Sequence, residues 1–202
     1  SILERDIAQF GTKQNIVIYV DGAQSVEKEH ATKIRQAARE KARVNWEKSL
    51  SILQEKIHSG VRVRKRHFTD VKTNLAKTFY WSLPMRESFV DHITQAGWKV
   101  KICQTEADVS IAGDCQPGDI VVSADSDMLA YPSISLLWRP ISNGLVLIYN
   151  ISDVCQVLEV SRVQLTALAV VSDNDYGKNI RSLGPATNFS VIKSVEKPGM
   201  QP

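Results

Sequence analysis

The sequence predicts a three-layer α/β fold, with a mainly parallel sheet between layers of helices and a helical insertion. Two observations support this prediction. Continuous apolar runs of strand length occupy residues 15–20 and 119–123, and such runs are typical of strands that are covered on both faces of a parallel sheet. Longer segments rich in helix-forming residues separate these runs, which is the chain order of strand–helix–strand units.

The first half of the chain begins with a predicted helix that ends near Phe10, and a strand follows from Asn15 to Val20. Residues 26–58 are dominated by Ala, Glu, Lys, Arg and Gln and contain neither Gly nor Pro, which predicts a long helix. The basic stretch 61–68 is either a solvated edge strand or a surface for single-stranded nucleic acid. Helices are predicted at about 70–81 and 84–96.

The second half starts with a predicted strand at 98–103, and Thr105 is a suitable N-cap for the helix after it. The strand at 119–123 follows the Pro117-Gly118 turn. Residues 136–138 and 145–149 flank Ser142-Asn143-Gly144 and predict a hairpin. Short helices are predicted at about 152–158 and 161–171, followed by a tight turn and a last helix that ends near residue 194.

Composition narrows the function classes. A chain of 202 residues with 43% hydrophobic residues can build one substantial core. No apolar run reaches about 18 residues, so we expect no membrane span. The three cysteines form no CxxC pair and the four histidines show no ligand spacing, which argues against a disulfide framework or a zinc site and favours an intracellular protein.

Charge is distributed unevenly along the chain, although the net charge is only +3. Residues 23–80 carry 14 Lys and Arg against 6 Asp and Glu, whereas the remaining residues carry 11 against 16. A basic segment beside an acidic core is what a protein that handles phosphates at a metal site needs, although a solvated helical pair shows the same balance.

Six carboxylates lie where apolar runs end or where predicted helices begin. Functional sites of open parallel sheets form at the carboxyl ends of their strands, so we expect these side chains to lie close together. Crowded carboxylates repel one another unless cations lie between them, and carboxylate oxygens suit Mg²⁺ or Mn²⁺. Each acid taken alone is also compatible with a helix cap or a turn. The predicted metal ligands are Asp21, Glu106, Asp108, Asp125, Asp127 and Asp175.

Four motifs resemble the XPG/flap-endonuclease family of structure-specific nucleases, which have a PIN-like core. The segment from Asp175 to Pro185, Asp-Tyr-Gly-Lys-Asn-Ile-Arg-Ser-Leu-Gly-Pro, is similar to the family signature Asp-Tyr-x-x-x-Ile-x-Gly-Ile-Gly-Pro at identical spacing. Thr105-Glu106-Ala107-Asp108 resembles the family's Ser-Glu-Ala-Glu, Asp125-Ser126-Asp127 its Asp-x-Asp, and Val20-Asp21-Gly22 its Phe-Asp-Gly. The order and approximate separations agree over nearly the whole chain.

The resemblance implies a metal-dependent 5′-flap-type nuclease acting on branched DNA, with a role in DNA repair and a place in the nucleus. The six acids would hold two Mg²⁺ or Mn²⁺ ions, and Lys28 and Arg35, seven residues apart on one helix face, would contact the scissile phosphate. A helix–two-turn–helix that holds K⁺ on main-chain oxygens would bind duplex backbone. The residues predicted to contact DNA are Arg64, Lys65, Arg66, Lys178 and Gly184.

The implied organisation is a single PIN-like domain over residues 1–195 with a tail at 196–202. The arch insertion would occupy about 23–83, the internal motif region about 97–150, and the helix–two-turn–helix about 161–195. The family also begins with an N-terminal strand that carries a further metal-binding Asp, which these 202 residues lack. Either that strand lies upstream of Ser1 or the protein lacks it.

Two further departures from the family pattern keep an alternative function open. Asp108 is one methylene shorter than the family's Glu, and Ala186-Thr187-Asn188 replaces the basic residues that follow the Gly-Pro turn. The alternative is a catalytically weak or inactive nuclease-like module that binds RNA or protein in post-transcriptional regulation. An RNA-directed PIN-type nuclease ranks lower, because it predicts fewer acids and no helix–two-turn–helix.

Overall fold

The computed structural model describes residues 2–23, 28–172 and 184–195. These residues form a mostly helical structure with small sheets, which confirms the mixed α/β part of the predicted fold class. The chain divides into two compact units. The first consists of residues 1–16 and 26–100, and the second of residues 17–25 and 101–202.

The regular elements described in the first unit are helices, apart from the start of a strand at its end. The helices are α1 (Ile2–Ala8), α2 (Glu29–His58), α3 (Lys65–Lys77) and α4 (Leu83–Gln95). The long helix α2 buries Ala42 and Leu53 and packs against α3, and the Asn74 side-chain amide donates to the Ser49 hydroxyl at 3.0 Å.

The basic stretch at 61–68 is not a strand, so the edge-strand interpretation is wrong. Helix α3 already begins at Lys65, with Arg64 in an extended conformation at its N-cap. The main-chain N–H of Arg64 donates to Nδ1 of His67 at 3.1 Å, which satisfies one of the groups that a helix leaves exposed at its start. Lys and Arg are good helix formers, and this local cap lets the helix start earlier than the composition indicates.

The strands form two small sheets rather than one larger sheet. In the first, β1 pairs with β2, and the Cys103 N–H just beyond β2 donates to the Val20 carbonyl at 2.9 Å. In the second, β3 runs parallel to β4, and β4 pairs with β5 as the predicted antiparallel hairpin. The strands are β1 (Val17–Val20), β2 (Lys99–Ile102), β3 (Val121–Val122), β4 (Leu136–Pro140) and β5 (Val146–Asn150).

Two clusters of buried side chains hold the second unit together. One contains Val121, Met128, Ile134 and Leu137, and Ile111 of the helix after β2 packs against it. The other is centred on three residues that follow β5, Ile151 and Leu165 in helices and Val160 in the link between them. The helices of this unit are α5 (Ala107–Asp114), α6 (Ile151–Leu158), α7 (Arg162–Val171) and α8 (Pro185–Ser194), with a 3₁₀ helix at Ser126–Ala130.

Helices α7 and α8 are joined by side-chain contacts to main-chain carbonyls. The Gln164 amide donates to the Ile192 carbonyl at 2.9 Å, and the buried Asn188 amide donates to the carbonyl of Val171, the last residue of α7, at 3.2 Å. These two helices occupy the positions predicted for the helix–two-turn–helix. The turn itself lies outside the described residues, together with Asp175 and Lys178, whereas Gly184 is the N-cap of α8.

Over the described part of the chain, no single helix has the length and hydropathy to cross a membrane. Helices α6 and α7 reach those values only when taken together, and they are bent by 82° at the break between them.

Candidate active site

Five of the six predicted metal-binding acids belong to the described part of the second unit, and each lies at an end of a strand or helix. Asp21 follows β1 directly, and Asp125 comes three residues after β3. Glu106 is the N-cap of α5, and Asp108 lies in its first turn. Asp127 lies in the first turn of the 3₁₀ helix.

A hydrogen bond between distant parts of the sequence fixes the Asp21 carboxylate. Its Oδ1 accepts from the main-chain N–H of Ala107, the first residue of α5, at 2.8 Å. A carboxylate in this position satisfies an exposed N–H and interacts favourably with the positive end of the helix. Asp21 therefore lies at the turn of α5 that carries Glu106 and Asp108.

Close main-chain approach at Gly22 makes this contact possible. The Gly22 N–H donates to the Thr105 carbonyl at 2.6 Å, and the Ala23 N–H donates to the Gln104 carbonyl at 3.0 Å. A Cβ atom at position 22 would lie 1.9 Å from the Cys103 carbonyl oxygen. Only glycine lets the segment after β1 lie this close to the segment after β2.

The Asp125 carboxylate also has a structural role. Its Oδ1 accepts from the Asp127 N–H at 2.9 Å and so caps the 3₁₀ helix, while its own N–H donates to the Ser123 hydroxyl at 3.1 Å. The capping interpretation that the sequence left open thus applies to Asp21 and Asp125. Each bond uses one of the roughly four lone-pair sites of a carboxylate, so a capping carboxylate can also bind a metal ion.

Helix α7 holds the segment that carries Asp125 and Asp127. The Arg162 guanidinium donates to the carbonyl of Leu129 at 2.6 Å, to that of Tyr131, and to that of Ile134 at 3.3 Å. One turn later, the Thr166 hydroxyl donates to the Ala130 carbonyl at 2.7 Å. Sequence reasoning missed both residues, because no local pattern shows that either side chain reaches main-chain oxygens so distant in the sequence.

A polar cluster joins β1, β2 and the end of α5. The Tyr19 hydroxyl donates to Asp114 at 2.8 Å, and the Lys101 ammonium pairs with the same carboxylate. Burial and the bond to Asp114 raise the pKa of Tyr19 to about 12. The bonds from Lys101 and Tyr19 hold the pKa of the Asp114 carboxyl below its usual range. This cluster stabilises the elements on which Asp21 and Asp108 lie.

The described residues meet only part of the requirement for a metal centre. Carboxylates that follow β1, begin α5 and follow β3 are hard oxygen donors of the kind that Mg²⁺ and Mn²⁺ prefer, so the donor set fits these ions. Among the described residues, however, no three His, Cys, Asp or Glu side chains lie close enough together to hold one ion. The sixth predicted ligand, Asp175, lies outside those residues, and the metal assignment stays a prediction.

The predicted phosphate and DNA contacts belong mainly to the first unit. Lys28 directly precedes α2, and Arg35 lies two turns further on the same helix. Arg64 caps α3, and Lys65 and Arg66 are its first two residues. These five cations thus belong to the α2–α3 pair, while Gly184 belongs to the second unit.

The fold and the positions of its acids define a mixed α/β protein in which carboxylates lie at the ends of strands and at the starts of helices. No protein-family model matches the sequence. The flap endonucleases 1-1 and 1-2 of Paramecium tetraurelia are each 30% identical to it over 112 residues. The chain is related to the flap endonuclease and Rad2 nucleases of the XPG family.

Solved structures show the same fold. The catalytic core of Rad2 in complex with DNA substrate matches 95% of this chain with a TM-score of 0.60 and 18% identity. Flap endonuclease-1 from Methanococcus jannaschii matches 66% of it with a TM-score of 0.52 and 19% identity. The chain spans 51% of the Rad2 core, and its sequence match covers 54% of this chain but 29% of each Paramecium relative.

Proposed function

We propose that this chain forms part of a divalent-metal-dependent, structure-specific nuclease that hydrolyses phosphodiesters in flapped or branched DNA. The observation that carries the proposal is the hydrogen bond between Asp21 and Ala107. It brings an acid from the end of one strand to the helix start that carries Glu106 and Asp108. The relationship to flap endonucleases supplies the reaction class, and we expect the protein to act in the nucleus.

The six predicted acids would hold two Mg²⁺ or Mn²⁺ ions through carboxylate oxygens. When bound, such ions activate water and neutralise charge on the leaving oxygen of a phosphodiester. Asp21 and Asp125 would each bind an ion through carboxylate lone pairs that do not accept the capping N–H. Because those caps already orient both carboxylates, little side-chain freedom would be lost when an ion binds.

The cations of the first unit would act on the phosphates. Lys28 and Arg35 would stabilise the charge that develops on the scissile phosphate, since fixed cations favour a transition state that carries more negative charge there. Arg64, Lys65 and Arg66 would attract the backbone, as would Lys178. Main-chain groups near Gly184, at the start of α8, would meet duplex phosphate.

Cleavage of three matched substrates tests the proposal. The full-length protein is incubated with Mg²⁺ and a 5′-flap, a plain duplex of the same sequence, or a single strand. We expect faster cleavage of the flap and its loss in the Asp125→Asn, Asp127→Asn double variant. The side-chain amide oxygen introduced at position 125 keeps the helix cap while the charge is removed. Equal inactivity on all three substrates contradicts the proposal.

Asp119 offers a matched control for the double variant. Its carboxylate also accepts a main-chain N–H, that of Gln116 at 2.8 Å, but it is not a predicted ligand. If the acids bind Mg²⁺, the ion should raise the melting temperature of the wild type, because it binds only the folded state. We expect Asp119→Asn to leave both this rise and flap cleavage unchanged. A loss as large as that of the double variant would show that the effect is not specific to the predicted site.

A second candidate is a nuclease-like module that binds RNA or protein without cutting. The observation that favours it is that no three metal-binding side chains converge among the described residues. This alternative predicts no shift in melting temperature with Mg²⁺ or Mn²⁺ and retained RNA binding in EDTA. Measuring the melting temperature with and without Mg²⁺ or Mn²⁺ therefore distinguishes the two candidates, and this measurement needs no substrate.

A further inference from the structure

The linker between α3 and α4 exposes three consecutive aromatic side chains. Phe79, Tyr80 and Trp81 keep 62%, 55% and 42% of their surface accessible. Single exposed aromatic residues are common, but an adjacent set of three is a candidate binding surface. All three belong to the first unit, as do the helices on either side of them.

These rings are held against α4 rather than extended at random. Trp81 meets Phe89 of α4 edge-on, with the ring centroids 5.7 Å apart and the planes at 69°. Phe79 lies 6.5 Å from Trp81 at a tilt of 45°. Edge-to-face and tilted contacts of this kind fix ring orientation and leave ring faces available for another planar group. The linker is therefore a preformed aromatic surface, which reduces the entropy lost when a ligand binds.

A cation lies directly against this surface. The Arg39 guanidinium of α2 is 4.7 Å from the centre of the Tyr80 ring, within the range of a cation–π contact. In the sequence, residues 71–86 carry Lys72, Lys77 and Arg86 and no acid, between Asp70 and Glu87. An apolar partner protein would not interact favourably with these cations. A ligand with flat aromatic groups on a phosphate backbone matches both the exposed rings and the positive charge.

We infer that the Phe79–Trp81 linker is a base-stacking site for single-stranded nucleic acid. Single strands fit better than duplex, because a duplex hides its base faces and presents mainly phosphates to a surface of this shape. The inference rests on the proposed function for the identity of the ligand, the unpaired strand of a branched substrate. It assigns the recognition of bases to residues that differ from those proposed to contact phosphate.

Binding of a fluorescent single-stranded oligonucleotide, measured in EDTA so that no cleavage occurs, tests the inference. We expect the Phe79→Leu, Trp81→Leu double variant to bind about 10- to 100-fold more weakly, since stacking contributes roughly one to two factors of ten per base. Leucine keeps much of the apolar volume and removes the ring. Binding of a plain duplex should change less than twofold.

Ile57 is the matched control, because it is an apolar residue of α2 in the same unit, is 55% exposed and is not a predicted contact. Ile57→Ala should change single-strand affinity less than twofold. An oligonucleotide of abasic sugars should bind the wild type and the double variant equally, because it retains the phosphates and lacks the bases. Arg39→Gln, which leaves all three rings in place, should weaken binding of the normal oligonucleotide.

Unchanged single-strand affinity in a double variant that melts like the wild type overturns the inference and leaves the surface to a protein partner. Equal affinity of the wild type for abasic and normal strands overturns it too. Failure of the proposed function would look different. In that case flap cleavage is absent with Mg²⁺, while single-strand binding in EDTA is still weaker in the Phe79→Leu, Trp81→Leu double variant than in the Ile57→Ala control.

Discussion

The Asp21 carboxylate and the Ala107 main-chain N–H, 86 positions apart in the sequence, form a hydrogen bond of 2.8 Å. This bond couples the end of β1 to the start of α5, so the helix cap and the predicted metal ligand are the same side chain. The two roles can be separated, because capping needs an acceptor oxygen whereas cation binding needs negative charge.

Substitutions at Asp21 separate those roles. Asp21→Asn keeps an oxygen that can accept from Ala107, so we expect its free energy of unfolding to stay within about 0.5 kcal/mol of the wild type. Asp21→Ala should lose about 1 kcal/mol, the usual contribution of a cap. Both should lose the Mg²⁺-dependent rise in melting temperature. An Asn variant that keeps this rise would remove Asp21 from the proposed ligands.

Gly22→Ala tests the close approach on which this bond depends. The new methyl group would lie 1.9 Å from the Cys103 carbonyl oxygen, so the main chain must move. We expect a loss of about 3 kcal/mol of stability, measured by urea denaturation. Gly113→Ala in α5 is the control, since a Cβ there meets nothing within 4 Å, and it should stabilise the helix by about 0.5 kcal/mol. Equal effects at the two positions would contradict the packing argument.

The order of elements and most of the acids at their ends were predictable, because both are local patterns. The apolar run before Asp21 and the Ser161 N-cap of α7 are each determined by residues only a few positions apart in the sequence. The hairpin of β4 and β5 was predictable for the same reason, since its turn residues lie between its strands. The division into two sheets depends on which strands pair with each other, and no local sequence pattern specifies that pairing.

The contacts that position the candidate site were much less predictable. The bond from Ala107 to Asp21 and the guanidinium of Arg162 on three carbonyls join residues that are distant in sequence. Arg162 looks like an ordinary first-turn residue of α7, because nothing in its neighbourhood shows that it points at main-chain oxygens. His67 likewise gave no sign that it would cap α3 and move the helix start to Lys65.

The raised pKa of Tyr19, about 12, predicts a loss of stability at high pH. Below pH 10 the hydroxyl is neutral in both states and its contribution is fully present. Between about pH 10 and 12 the unfolded chain releases this proton while the folded chain keeps it, so the free energy of unfolding falls as pH rises. The difference in stability between the wild type and Tyr19→Phe should shrink across this range by about 1 kcal/mol, allowing for solvent screening. A difference that does not change with pH contradicts the assignment.

Arg162 should stabilise the Asp125–Asp127 segment through the carbonyls that it contacts. Arg162→Met removes the donors to Leu129, Tyr131 and Ile134 and leaves those oxygens under-satisfied, so we expect a loss of about 2–3 kcal/mol. Arg162→Lys should recover part of it, because an ammonium group donates fewer bonds in this geometry.

Hydrogen exchange locates the effect of the Arg162 substitution. Amides of residues 126–134 should exchange faster in Arg162→Met than in the wild type, whereas those of α2 should not, because α2 belongs to the other unit. The control is Arg5→Met, since the exposed Arg5 pairs with its neighbour Asp6, and surface pairs contribute little. If residues 126–134 keep their protection while the protein as a whole loses stability, Arg162 acts on the core in general. The Mg²⁺-dependent rise in melting temperature should then be the same in Arg162→Met as in the wild type, whereas a positioning role requires it to be smaller.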